Sequence, residues 1–122
     1  MRKVVIVDDH SIILDGYSFI FAGNENIKIV GTASNGEEAL LTIESALPDI
    51  VLLDINMPVM NGLEAAKTIK ERWPNIKIIM LTMFSQVAYI KDSMSLKVDG
   101  YLLKNCDKKT LLEAIEDVMN GG

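Results

Sequence analysis

The chain is short of several things, and each shortage narrows its function. A single cysteine, Cys106, excludes an internal disulfide and fits a reducing cytoplasm. Basic residues are outnumbered, 12 Lys and Arg against 17 Asp and Glu, for a net charge of −5. That balance repels nucleic-acid phosphates, so the chain's own surface is not expected to bind DNA. No apolar stretch approaches the roughly 20 residues needed to span a bilayer, and no signal-peptide pattern precedes Val4. The expectation is a soluble, cytoplasmic protein with no membrane contact. Repeats, low-complexity segments and internal linkers are also missing. Residues 1–120 therefore read as one domain, with 121–122, Gly121 and Gly122, as its edge or the start of a linker.

What is present is an ordinary globular composition, 49% apolar and 24% charged over 122 residues. Five apolar runs recur at even spacing, "KVVIV" (3–7), "IKIVGTA" (27–33), "DIVLL" (49–53), "IKIIML" (76–81) and "GYLL" (100–103). A stretch of helical period follows each. Leu111, Leu112, Ile115, Val118 and Met119 fall on one helix face, as do Leu63, Ala66, Ile69 and Trp73. Ser34 with Glu37, and Asn61 with Glu64, read as capping boxes, and Ser85 and Asp107 as N-caps. Near-continuous Val/Ile/Leu strands alternating with helices predict an α/β fold with a parallel sheet covered on both faces. Right-handed crossovers make that sheet doubly wound.

In such sheets ligands gather at the carboxyl ends of the strands. Asp8 and Asp9 come after the first run, Asp54 after the third, Thr82 after the fourth and Lys104 after the fifth. Each has a plain reading on its own. Asp8 or Asp9 would cap a helix, Asp54 would form a turn, and Lys104 would be a solvated lysine. Those readings do not account for all five following strand runs in one chain. Three carboxylates drawn together repel by about 4 kcal/mol per pair at an effective dielectric near 20. A cation relieves this, and a small all-oxygen ligand set that leaves room for water suits Mg²⁺. Lys104 adds a point charge and Thr82 a donor, the combination a transferring phosphoryl group requires. An ionised Asp is a nucleophile without help from a neighbouring base.

The motifs "VDDH" (7–10), "LLDINMPVMNG" (52–62), "LTM" (81–83) and "GYLLK" (100–104) resemble, in order and spacing, those of response-regulator receiver domains of two-component signalling. The resemblance covers Arg2 to Met119 and implies a flavodoxin-like, doubly wound five-stranded parallel sheet of order 2-1-3-4-5 with five helices. It implies Asp54 as phosphoacceptor, Asp8, Asp9, Asp54 and the backbone carbonyl of Asn56 as Mg²⁺ ligands, and Thr82 and Lys104 as phosphoryl contacts. Tyr101 becomes the aromatic whose rotamer follows activation. A sensor histidine kinase or acetyl phosphate is the implied donor, and the protein catalyses only its own phosphorylation and dephosphorylation. "DDH", "LTM" and Lys104 followed by Asn105 resemble the NarL/LuxR-type branch, whose receivers carry a C-terminal helix-turn-helix module. DNA binding is then expected only through a domain beyond these residues, with homodimerisation on phosphorylation a further expectation. Asn105 departs from the proline many receivers carry there, and Met83 from their Ala or Ser. His10 reads as a loop residue near the site.

A phosphoryl group on Asp54 raises the local charge to about −2 and adds three acceptor oxygens. The resulting expectation is that Thr82 bonds one oxygen, Lys104 pairs with another, and Tyr101 turns inward. The surface of the fourth helix, fifth strand and fifth helix would then rearrange. Three other functions fit less well. A phosphohydrolase with an aspartyl nucleophile would want an Asp-x-Asp pair, whereas Asp8 and Asp9 are adjacent. A flavin carrier would want a Ser/Thr/Gly loop in place of "DDHS". A pseudo-receiver serving only as an interaction module would not need all five site residues, and a stand-alone receiver or pseudo-receiver acting as an interaction module is the alternative reading.

Overall fold

Strands built only from Val, Ile and Leu are stable where both faces are covered, and the central strands here are covered in that way. The computed structural model describes residues 2–55, 60, 62–82, 98–104 and 106–121. Its strands are β1 (Arg2–Val7), β2 (Ile27–Ala33), β3 (Ile50–Asp54), β4 (Lys77–Thr82) and β5 (Gly100–Leu103). All pair in parallel, in the order β2-β1-β3-β4-β5. This is the doubly wound α/β sheet expected from the sequence. Four helices are described, α1 (Ser11–Ala22), α2 (Gly36–Ala46), α3 (Gly62–Arg72) and α4 (Lys108–Met119). The fifth expected helix would fall between β4 and β5, where residues 83–97 lie outside the described residues. Ser85 and Asn61, read as caps, also lie outside them.

Side chains alternate along a strand, so each strand contributes to two cores. Val5, Val7, Val51, Leu53, Ile78 and Met80 meet α2 and α3 through Ala39, Ile43, Ala65, Ala66 and Ile69. Val4, Ile6, Ile50, Leu52, Ile79 and Leu81 meet α1 and α4 through Tyr17, Phe21, Leu111, Ile115 and Val118. The expected faces of α3 and α4 are the ones that pack. Leu63 and Trp73 are half-buried against the first core, and Leu112 and Met119 against the second. No described helix is long and apolar enough to cross a membrane.

Helix starts differ in one place from expectation. The cap of α2 is Asn35, not Ser34, and Asn35 accepts the Glu38 N–H at 2.8 Å. Glu38, not Glu37, reaches back, taking the Ser34 N–H at 3.3 Å and its hydroxyl at 3.1 Å. The box forms one residue later because Asn35 holds the extended conformation from which an N-cap side chain reaches the first turn. Asp107 caps α4 as expected, accepting the Thr110 N–H at 2.8 Å. Hydrogen bonds from Thr110 hold its carboxyl below the ordinary value of 3.8. A carboxyl depressed in the folded state stabilises above its unfolded value, and that contribution fades as pH falls through the folded one. Asp107→Ala should therefore lower the urea midpoint at pH 7. The gap from the parent should narrow in titrations below pH 3.8. A gap that stays constant in acid would contradict the capping role.

Candidate functional site

Strand register decides which chain positions become neighbours. Val7 pairs with Leu53, so the next residues along, Asp8 and Asp54, emerge side by side. Thr82 pairs with Leu103, which places Lys104 one step beyond the end of the β4–β5 pair. The Lys104 N–H donates to the Thr82 carbonyl at 2.9 Å and fixes the chain there. Asp54 and Thr82 are the last residues of their strands, which run one position further than the apolar runs implied. Both therefore inherit the order of the sheet.

The Lys104 ammonium bridges the two carboxylates. Its Nζ lies 2.9 Å from Oδ2 of Asp8 and 3.0 Å from Oδ2 of Asp54. All three side chains are buried, at 0% exposure for Asp8, 1% for Asp54 and 7% for Lys104. Burial alone would pull the lysine pKa down, but its contacts with Asp8 and Asp54 outweigh that and raise it. Lys104 is thus a firmly charged ammonium. Tyr17 of α1, stacked on Phe21, is pushed well up by burial and then by the nearby Cys106, Asp8 and Asp54 charges. Neither Asp8 nor Asp9 caps α1. His10 holds the N-cap position, and its side chain makes no cap bond. Asp8 accepts the His10 N–H at 2.9 Å in a local turn.

Among the described residues, Asp8, Asp9, His10 and Asp54 each offer a ligand atom, and these atoms lie within 4.8 Å of one another. Carboxylate oxygens gathered this closely, two of them on buried side chains, fit a hard divalent cation such as Mg²⁺. Asn56, expected to add its carbonyl, lies outside the described residues, as do Met83 and Asn105. Thr82 is buried at the end of β4. By strand alternation it faces the α2–α3 side, the side on which half-buried Tyr101 packs. Tyr101 pairs with Met80, two residues before Thr82, so the two stand diagonally across the β4–β5 pair.

Two supports of the site carry no motif. Asp99 accepts the Lys70 ammonium at 2.7 Å and the Ile78 N–H at 2.9 Å, tying the start of β5 to α3 and β4. Gly36 donates its N–H to the Met60 carbonyl at 3.1 Å, tying α2 to the loop after Asp54. Both pairs span long sequence separations, so local patterning has no means of marking them.

A family model described as "Response regulator receiver domain" matches residues 4–116. The transcriptional regulatory protein LnrK of Bacillus subtilis (strain 168) is 38% identical over 122 residues, covering 100% of this chain and 56% of that protein. The chain spans about half the length of the curated relatives it matches. Among solved structures, a DNA-binding response regulator of the LuxR family from Staphylococcus aureus superposes with a TM-score of 0.91. It is 31% identical, covering 98% of this chain and 100% of that one. A chain of the CheX-CheY-BeF3-Mg+2 complex from Borrelia burgdorferi gives 0.87 at 30% identity, covering 96% of this chain and 88% of that one.

Proposed function

Because this chain belongs to the response-regulator receiver domain family, we propose that it is a phosphorylation switch with Asp54 as the acceptor. The observation that carries this reading is the pair of buried carboxylates, Asp8 and Asp54, held on one ammonium at 2.9 and 3.0 Å. An Oδ atom of Asp54 attacks phosphorus as the bond to the donor breaks. The donor is the phosphohistidine of a sensor kinase, or acetyl phosphate. Asp8, Asp9, Asp54 and the Asn56 carbonyl would hold Mg²⁺, which supplies charge neutralisation on the phosphoryl oxygens.

Lys104 stays with the phosphoryl group as its counter-ion. Thr82 donates its hydroxyl to a phosphoryl oxygen, and Tyr101 moves into the space on the same face. The rearrangement reaches β5, α4 and the helix expected before β5, the surface that controls output. Favouring the activated arrangement decisively takes about 3–5 kcal/mol. The output belongs to transcription control, through a DNA-binding domain outside these residues and a homodimer formed on phosphorylation. The reaction takes place in the cytoplasm, where acetyl phosphate and kinase cytoplasmic domains are available. Incubation with acetyl phosphate and Mg²⁺ should add the mass of one phosphoryl group on an intact-mass spectrum. Chelation with EDTA should cut the rate by about tenfold or more, in line with the loss of one main electrostatic stabiliser. Phosphorylation that proceeds unchanged in EDTA would overturn the metal assignment.

A further inference from the structure

We propose that His10 supplies a nitrogen ligand to the metal pocket, so that the site favours Co²⁺ over Mg²⁺ more than three carboxylates alone would. The inference rests on the receiver reading above and deepens it by naming the class of metal. His10 Nδ1 lies 3.0 Å from Oδ1 of Asp8 and 3.1 Å from Oδ1 of Asp9. Adjacent ligands on an octahedral ion with bonds of about 2.1 Å sit about 3.0 Å apart, and opposite ones about 4.2 Å. The 3.0 and 3.1 Å separations match adjacent positions on such an ion, and the four ligand atoms, all within 4.8 Å, need only small side-chain shifts to reach one shared ion. The ring is placed by its own backbone, whose N–H is bonded to Asp8.

Exposure decides whether the ring is able to serve. The His10 side chain is 62% exposed, against 0% for Asp8. A ring this open can give up its Nδ1 contacts with the carboxylates, present the Nδ1 lone pair to an ion and carry its proton on Nε2, which meets water. Imidazole suits later first-row ions, whereas carboxylates alone suit Mg²⁺. One nitrogen among oxygens therefore shifts preference along that series without removing Mg²⁺ from the site.

His10 is the one histidine in the chain, so its ring signals need no assignment. Untagged protein would be titrated with Co²⁺, following the visible absorption band and the ring protons by NMR, and separately with Mg²⁺ by calorimetry. The expected result is a strong paramagnetic shift of the His10 ring. His10→Ala should weaken Co²⁺ by about tenfold or more, the scale of losing a group that shapes a metal site. Mg²⁺ affinity should change less than about twofold, since oxygen ligands carry it. If Mg²⁺ binds the parent and His10→Ala leaves the Co²⁺ affinity unchanged, the inference falls and the receiver reading stands. If neither ion binds the parent, both fall together.

Discussion

Asp54→Asn is expected to abolish phosphorylation by acetyl phosphate, with no mass increment on the intact protein after prolonged incubation with Mg²⁺. The amide has nearly the shape of the carboxylate, but it carries no negative charge, and its neutral carbonyl oxygen attacks phosphorus poorly. The loss is one of chemistry and not of folding. Asp54 is 1% exposed and Lys104 keeps its contact with Asp8 at 2.9 Å, so no buried charge is stranded. The urea midpoint of the variant should accordingly remain close to the parent's. Far-UV circular dichroism before the assay separates the two explanations. A phosphoryl increment on the folded variant would show that another side chain accepts the group. Asp9 is the only other described carboxylate of the pocket that is partly open to solvent.

Gly62→Ala is the variant expected to damage the fold itself most. A Cβ at residue 62 would overlap the Asp54 carbonyl oxygen and lie 2.7 Å from Ile55 Cα. These obstacles are backbone and have no room to yield. Ile55 is buried, its N–H bonded to the Leu81 carbonyl at 3.2 Å and its carbonyl to the Gly62 N–H at 2.7 Å. Relief requires moving the start of α3 away from Asp54, so destabilisation should reach about 3 kcal/mol, the upper end for overpacked sites. Chemical denaturation measures this directly, with Gly16→Ala as the control. Gly16 has nothing within 4 Å of an added Cβ, and at this exposed position of α1 that change should stabilise by about 0.5–1 kcal/mol. In whatever fraction of Gly62→Ala remains folded, phosphorylation should be slower, because the carbonyl displaced belongs to Asp54, the proposed acceptor. A Gly62→Ala protein within about 1 kcal/mol of the parent would mean the close approach is not obligatory.

The strands and helix faces were legible because they are local. Val4 to Val7 and Ile50 to Leu53 announce strands buried on both faces. The spacing of Leu111, Ile115 and Val118 announces the face α4 presents to the sheet. Even the cap at Asp107 was readable, since its partner Thr110 lies three residues on. Where two local solutions compete, as with Ser34–Glu37 and Asn35–Glu38, the sequence does not choose, because both place an oxygen-bearing side chain three residues ahead of a Glu.

The site was legible only as a coincidence of positions, and its geometry was not. Asp8, Asp54 and Lys104 are spread over nearly the whole chain. Their 2.9 and 3.0 Å contacts depend on strand order and on Val7 meeting Leu53. The ring of His10 against both carboxylates, the Lys70–Asp99 tie and the crowding at Gly62 were unannounced for the same reason. A period of two or 3.6 residues determines which way a side chain points from its own element, and so the sequence alone specified the elements, their buried faces and the kinds of group at the strand ends. Distances between those groups follow from register and crossover, which are properties of the assembled sheet, and only the tertiary structure decided them.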